Sequence, residues 1–93
     1  SDRNITIESV CRELGVSAAY FSTIFKKETG KTFISFLTDY RMEKAVELLM
    51  TTSDKTYIIA EKVGYADSNY FSYAFKKQYS MSPSKYRTAN SQG

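Results

Sequence analysis

The sequence predicts an all-α fold in which two helix-turn-helix units are joined by one long helix. Between Thr32 and Thr51, apolar residues recur at helical spacing and no Gly or Pro interrupts them, which is typical of an amphipathic helix. The predicted apolar positions are Phe33, Phe36, Leu37, Tyr40, Ala45, Leu48 and Leu49. A short motif occurs on both sides of this helix, because Tyr-Phe-Ser-x-x-Phe-Lys-Lys occupies residues 20–27 and again residues 70–77. The long helix is therefore expected to connect two similar units.

The composition is that of a globular protein with a modest core. The 93 residues include 42% hydrophobic and 25% charged side chains, which suits one compact domain or two very small ones. The single cysteine cannot form an intramolecular disulfide, so a reducing cytoplasm is the expected compartment. No apolar run approaches the roughly 18 residues of a membrane span, and we expect no membrane partner.

The first unit is predicted to contain two short helices. Thr6 is the expected N-cap of the first and Ser17 that of the second, because their hydroxyls can accept hydrogen bonds from free amides at a helix start. A glycine follows each helix, as is common at helix C-termini. Thr32 is the expected N-cap of the long helix. The two predicted helices are Ile7–Leu14, ended by Gly15, and Ala18–Thr29, ended by Gly30.

The second unit is predicted to contain two helices of the same kind and a short third one. Ser53 or Asp54 is the expected N-cap of the first, and Asp67 that of the second. Ser82 is the expected cap of the last, with Pro83 at its first helical position. The predicted ranges are Thr56 to Val63, ended by Gly64, then Ser68 to Tyr79, and Pro83 to Tyr86 or Arg87, with a frayed tail over residues 88–93. The expected division of the chain is 1–31 for the first unit, 32–51 for the linker helix and 52–93 for the second unit.

The repeat extends on both sides of the shared motif. Cys11 takes the place of Ala60, where a small side chain lets two helices approach, so we interpret the thiol as a packing residue. Gly30 is matched by Ser80, which must adopt the same turn without the conformational freedom of glycine. The additional matches are Val10-Cys11-x-x-x-Gly15 with Ile59-Ala60-x-x-x-Gly64, and Thr32-Phe33-x-x-Phe36 with Ser82-Pro83-x-x-Tyr86.

The residue types argue against an enzyme, a metal site or a cofactor. The chain has no histidine, its one cysteine fits a packing role, and no glycine-rich phosphate loop occurs. The acidic residues are scattered over predicted helix surfaces and form no cluster for acid–base chemistry. A helical protein–protein interaction module stays open as the alternative to DNA binding, because two helical hairpins on a rod can also dock partner helices.

A long motif in the second unit is specific enough to compare with known families. It reads Gly64-Tyr65-x-Asp67-x-x-Tyr70-Phe71-Ser72-x-x-Phe75-Lys76-Lys77, followed by Met81-Ser82-Pro83-x-x-Tyr86-Arg87. This motif resembles the signature segment of AraC/XylS-family transcriptional regulators, and the resemblance extends from Ile7 to Arg87. It implies a homeodomain-like, AraC-type DNA-binding domain with two helix-turn-helix units and a long linker helix. The finer pattern is similar to the output domains of AraC-type two-component response regulators from Gram-positive bacteria.

The resemblance also implies partners for this chain. A double-stranded DNA operator is the expected ligand, and RNA polymerase is a further candidate partner. We expect an upstream sensing or receiver domain, and members of the family usually carry one more helix before the one that starts at Ile7.

Sequence reading by such a domain depends on exposed side chains near the N-terminus of a helix in the major groove. Asn69 is the best candidate, since its amide can pair bidentately with adenine. Ala19 and the methyl group of Thr23 can contact a thymine methyl, whereas Ser22 and Ser72 discriminate weakly. For any one of these side chains a merely solvated helix face is the alternative. The predicted base-reading residues are Ala19, Ser22, Thr23, Ser68, Asn69, Ser72 and Tyr73.

Phosphate contacts are expected to supply most of the affinity and none of the sequence choice. Helix N-termini present free amides, and lysine and arginine add charge. From Lys76 onward the chain has four basic and no acidic residues, so the second unit is the expected dominant one. Arg41 is interpreted as structural, paired with Asp39, Glu43 or another carboxylate, and a phosphate contact is the alternative. The predicted phosphate-binding residues are Thr6, Ser17, Lys26, Ser35, Lys76, Ser82, Ser84, Lys85 and Arg87.

The length of the central helix bears on how both units would meet one duplex. About nineteen residues make a helix about 28 Å long, whereas successive major grooves on one face of DNA are about 34 Å apart. A mismatch would be met by bending the DNA, at a cost of about 1–6 kcal/mol, or by engaging only one recognition helix fully.

Overall fold

The computed structural model describes residues 6–91, and helices are the regular elements of this part of the chain. They are α1 (Ile7–Leu14), α2 (Ala18–Thr29), α3 (Phe33–Thr51), α4 (Thr56–Lys62), α5 (Ser68–Tyr79) and α6 (Pro83–Asn90). The predicted all-α fold class is confirmed. The chain divides into two compact units, and the boundary between Tyr40 and Arg41 lies inside α3. The division into two units and a separate linker stays a prediction, since α3 contributes to both units.

Five of the six described helices start at the side-chain cap that the sequence predicted. Each cap satisfies an amide that has no partner within the helix, and such a cap contributes about 1 kcal/mol. Asp67 accepts from the Asn69 amide at 2.9 Å, so the start of α5 is fixed beside a predicted base-reading residue. The other capping bonds run from the amides of Ser9 to Thr6, Tyr20 to Ser17, Ser35 to Thr32 and Lys85 to Ser82, at 3.0, 3.1, 3.1 and 3.2 Å.

The start of α4 differs from the prediction. Its N-cap residue is Lys55, which makes no side-chain capping bond, so the predicted cap by Ser53 or Asp54 is wrong. The carboxylate of Asp54 instead pairs with Lys62 Nζ at 2.7 Å. This helix is held by burial, since Ile59 is fully buried.

Two helix ends also differ from the prediction. α4 ends one residue before Val63, which is within the ordinary uncertainty of a helix boundary. α6 continues past the predicted end at Tyr86 or Arg87 as far as Asn90. The Asn90 side-chain amide donates to Tyr86 O at 2.9 Å and satisfies a carbonyl in the last turn. The last two residues of the predicted frayed tail lie outside the described residues.

The first unit has a small core of aromatic rings. Phe33 is 9% exposed, and its ring meets those of Phe21 and Phe25 edge-on, with centroids 5.5 and 5.4 Å apart. Such contacts add about 0.5–1.5 kcal/mol each to the burial term. Cys11 is buried, as the repeat predicted. Phe36 differs from its predicted place on the apolar face, because it is 45% exposed.

The second unit has the larger core, contributed by α3, α4 and α5. Full burial of a phenylalanine stabilises a fold by about 1.5–3 kcal/mol, and α5 supplies two such residues. The ring of Phe75 also meets Tyr86 edge-on at 5.5 Å, which packs α6 against α5. The buried cluster consists of Met42, Ala45, Leu49, Ile59, Ala60, Val63, Phe71 and Phe75.

Two residues of the second unit adopt a backbone conformation that favours glycine. Gly64 has φ +109°, and a Cβ built there would lie 3.0 Å from Arg41 Cζ, so both the backbone and the space require glycine. Ser80 has φ 68° at the end of α5, where its counterpart Gly30 has φ 83°. The predicted turn at Ser80 is therefore formed, at the strain cost of a left-handed residue that has a side chain.

Candidate nucleic-acid interface

The predicted base-reading residues lie on two helix faces, one in each unit. Phe71 and Phe75 are buried on one side of α5, which leaves the other side of that helix to solvent. In α2 the corresponding Phe21 and Phe25 are half-buried. Ala19, Ser22, Thr23, Asn69 and Tyr73 are exposed, whereas Ser68 and Ser72 are half-buried.

Asn69 and Tyr73 differ in the contacts that surround them on α5. Asn69 lies in the first turn of α5, directly after the Asp67 cap. The ring of Tyr73 lies 6.4 Å from that of Tyr70, and Lys77 Nζ lies 5.8 Å from its centroid on the ring face. A cation over an aromatic face contributes about 0.5–1 kcal/mol at an exposed site. Tyr73 therefore lies between Tyr70 and Lys77 on α5, and the Lys77 ammonium group contacts the Tyr73 ring as well as solvent.

Three of the five phosphate-binding residues predicted in the second unit border one surface groove. This groove has a volume of about 810 Å³ and includes Lys76, Ser82 and Lys85 in its lining. Ser82 caps α6, so the groove adjoins the helix end where free amides and the positive end of the dipole favour anions. Thr88, which the sequence analysis assigned to a frayed tail, also lines the groove. Ser84 is exposed in the first turn of α6.

The matching groove of the first unit is more apolar at its α3 side. Its volume is about 630 Å³, and it is lined in part by Lys26, Phe33 and Ile34. Ile34 is 71% exposed. Ser35, the predicted phosphate ligand in this unit, donates its amide to the cap of α3 and carries no charge. This unit therefore offers an anion less positive charge at the end of α3 than the second unit offers at α6.

Charge pairing increases this difference between the two units. Lys31 Nζ lies 2.7 Å from Asp39 Oδ2 in the first unit. The positions fifty residues later are occupied by Met81 and Ala89, which carry no charge. The second unit therefore has no carboxylate at position 89, the position that corresponds to Asp39.

The caps Thr6 and Ser17 are predicted phosphate ligands that also have a local role. Thr6 Oγ1 accepts from the Ser9 amide and the Thr6 amide donates to Ser9 Oγ, both at 3.0 Å. Ser17 Oγ accepts from the Tyr20 amide at 3.1 Å. A hydroxyl that accepts such a bond keeps its own proton, so both caps can still donate to a phosphate oxygen.

Arg87 has partners that the sequence analysis did not foresee. Its Nε donates to Leu49 O at 3.0 Å, Nη1 to Asp54 O at 2.8 Å, and Nη2 to Thr52 O at 2.9 Å. All three guanidinium nitrogens are therefore engaged with backbone carbonyls inside the second unit. Each bond uses one N–H of its nitrogen, so the phosphate role of Arg87 stays a prediction, and a different role for this residue is proposed below.

Arg41 packs against the turn that follows α4. Its Cζ lies 5.8 Å from the ring centroid of Tyr65 and close to the backbone of Gly64. This agrees with the structural role preferred from the sequence. Asp39, one of the suggested partners, is paired with Lys31.

The described residues offer neither a metal cluster nor a membrane segment. Within residues 6–91, no three His, Cys, Asp or Glu side chains are grouped so that they could hold a metal ion. Every helix found in that range is too short or too polar to cross a membrane. The side chains on the exposed faces of α2 and α5 suit hydrogen bonding and anion contact.

Comparison with known proteins identifies the family. A family model described as a helix-turn-helix domain matches residues 10–89, which is most of the chain. The chain belongs to the AraC-type helix-turn-helix DNA-binding domains. The function of this AraC-type domain is sequence-specific DNA binding. The prediction that it is not an enzyme is confirmed.

Solved structures and curated relatives agree with this assignment. The AraC-type domain is 46% identical to the C-terminal domain of AraT, a response regulator from Geobacillus stearothermophilus, with a TM-score of 0.92 over 99% of this chain and 76% of that one. It is 45% identical to the C-terminal domain of the two-component response regulator yesN from Fusobacterium nucleatum, with a TM-score of 0.88 over 92% of this chain and 84% of that one. It is also 38% identical to the HTH-type transcriptional regulator AlkR from Acinetobacter baylyi over 88% of this chain. The matches span 27–32% of the curated relatives' own lengths.

Proposed function

We propose that this domain binds a double-stranded operator with the exposed faces of α2 and α5 in the major groove, and that the second unit supplies most of the affinity. The observation that carries the proposal is the arrangement of the second unit. Asn69 is exposed at the capped start of α5, and Lys76 and Lys85 line one groove beside the N-terminus of α6. A base-reading side chain and two cations are thus present on one small unit.

The roles of the individual residues follow from their chemistry. Asn69 would read adenine through its amide, and Ser68, Ser72 and Tyr73 would contact neighbouring bases. In the first unit, Ala19, Ser22 and Thr23 would contact base edges. The proposed phosphate ligands are Thr6, Ser17, Lys26, Ser35, Lys76, Ser82, Ser84 and Lys85.

Binding-site selection from random duplex DNA, followed by salt titrations on the selected site, tests this proposal. Asn69→Ala is expected to relax the choice at one base pair by about 1–3 kcal/mol. Lys76→Ala is expected to weaken all sequences alike and to reduce the slope of log K against log salt by about one. Lys44→Ala is the matched control, because Lys44 already pairs with Glu47 at 3.2 Å and belongs to neither face. A domain without DNA affinity at low salt, or a change of base preference in Lys76→Ala, would contradict the proposal.

We also infer that this domain is the output part of a bacterial response regulator acting in the cytoplasm. The support is the high identity to the C-terminal domains of two response regulators. In a full-length protein with a receiver domain, a small phosphodonor such as acetyl phosphate is expected to change operator affinity. The isolated domain is the control and is expected to show no change. An equal response in both proteins, or in neither, would refute this inference.

A further inference from the structure

Arg87 joins segments of the second unit that lie far apart in sequence. Its three acceptors are the carbonyls of Leu49, Thr52 and Asp54, between 33 and 38 residues away. Leu49 belongs to the last turn of α3, where carbonyls have no amide donor within the helix and the dipole favours a cation. The guanidinium therefore caps α3 and orders the turn that follows it.

The shape of arginine is suited to this task, and lysine cannot reproduce it. A guanidinium is planar and presents its donors in a fixed fork, whereas an ammonium group is a compact point charge on a flexible stem. Three carbonyls in different directions require three separate nitrogen donors, which Arg87 provides at 2.8–3.0 Å. A lysine at this position would keep the charge and lose most of the geometry.

The attachment of Arg87 also decides the rotation of α6. On the inner side of α6, Pro83 is buried and Tyr86 packs against Phe75. Residues two apart on a helix are separated by about 200° around its axis. An inward Arg87 therefore directs Lys85 to the opposite side, where it lines the groove with Lys76.

We propose that Arg87 is a positioning residue for DNA binding, which fixes α6 on the end of α3 so that Lys85 and the α6 N-terminus face a phosphate. The proposal rests on the DNA-binding role given to the second unit above. Arg87 contributes to affinity through the orientation of Lys85 and not through its own charge.

A double-mutant cycle between positions 87 and 85 tests this role by fluorescence anisotropy over a salt series. Lys85→Ala is expected to lower the slope of log K against log salt by about 0.9, which is about an eightfold loss at 0.1 M salt relative to a 1 M reference. Arg87→Lys is expected to lower the slope by a similar amount although the charge is kept. The double variant is expected to lose little more than either single variant, because both remove the same contact.

A second measurement separates positioning from general stability. Val46 packs against the same core and is not one of the three residues that accept hydrogen bonds from Arg87, so Val46→Ala is expected to lower the melting temperature and to leave the salt slope unchanged. In the absence of DNA, Arg87→Lys is expected to speed amide hydrogen exchange in α6 more than in α5. This exchange experiment tests the attachment even if the wild-type domain were found not to bind DNA, a result that would refute only the proposed function.

Three results would overturn the proposal. Additive losses in the double variant would show that Arg87 acts independently of Lys85. An Arg87→Lys variant with wild-type affinity, beside a weakened Arg87→Ala variant, would show a direct contact between the charge and a phosphate. An Arg87→Lys variant that fails to fold by circular dichroism would assign the residue to stability alone.

Discussion

Replacing Ser80 by glycine is expected to stabilise the second unit. Ser80 ends α5 with φ 68°, and a residue with a side chain in this left-handed region costs roughly 1–2 kcal/mol. Glycine removes that strain but adds about 0.4–1 kcal/mol of backbone entropy to the unfolded chain. The midpoints of the two ranges give a net gain of about 0.8 kcal/mol, or about 3–6 °C in melting temperature for a domain of this size.

The first unit provides the reciprocal control. Gly30 ends α2 with φ 83°, and its amide donates to Lys26 O at 2.8 Å, as the Ser80 amide does to Lys76 O. A Cβ built at Gly30 meets nothing within 4 Å, so Gly30→Ser introduces backbone strain without a clash. We expect this substitution to destabilise the first unit by the amount that Ser80→Gly stabilises the second.

Thermal unfolding followed by circular dichroism, with amide exchange to assign each change to its unit, measures both effects. Protection should rise at the end of α5 in Ser80→Gly and fall at the end of α2 in Gly30→Ser. A loss of stability in both variants would refute the reasoning, because it would show that the Ser80 side chain contributes more than its backbone conformation costs.

Two further substitutions test how the second unit is built. Gly64→Ala is expected to lower the free energy of unfolding by more than backbone strain alone, which costs about 1–3 kcal/mol, because the new Cβ would lie 3.0 Å from Arg41. Gly15→Ala is the control, since Gly15 has φ +73° and nothing within 4 Å of a built Cβ, so this variant is expected to show the strain only. Chemical denaturation of both variants measures this, and an equal loss would show that the contact with Arg41 is irrelevant. Asp67→Ala is expected to cost about 0.5–2 kcal/mol, because the Asn69 amide loses its acceptor, and Asp67→Asn should recover most of that loss in the same assay. If Asp67→Asn were as unstable as Asp67→Ala, the capping bond would not be the source of the loss.

Helix starts were predictable wherever a short-range hydrogen bond determines them. A cap such as Asp67 and the amide it binds lie within three residues, so the pattern is visible in a short stretch of sequence. The start of α4 was missed because burial of Ile59 holds that helix, while Asp54 pairs with Lys62. Tertiary packing therefore determined that α4 starts after Lys55, and the capping ability of Ser53 and Asp54 did not.

The apolar face of α3 was predictable in part. Leu49 is 2% exposed, as helical periodicity indicates, but Phe36 and Tyr40 are 45% and 39% exposed. Met42, which the periodicity argument did not use, is fully buried. A hydrophobic pattern predicts which side of a helix is apolar, but the neighbouring helices decide which of its residues are covered.

The duplicated motif separates residues that build the fold from those that distinguish the two units. α2 and α5 have twelve residues each, start at a side-chain cap and end in a left-handed residue, so the repeated positions specify the same local structure twice. The positions that are not repeated change the chemistry at the next helix, since Ser35 is matched by Lys85 and Leu37 by Arg87. Lys85 adds charge beside the α6 N-terminus, and Arg87 holds that helix on α3. An alignment of the two halves shows that positions 85 and 87 differ from their counterparts in the first unit. It does not show that Lys85 faces the groove while Arg87 faces the protein, because Arg87 bonds to residues more than thirty positions away in the sequence.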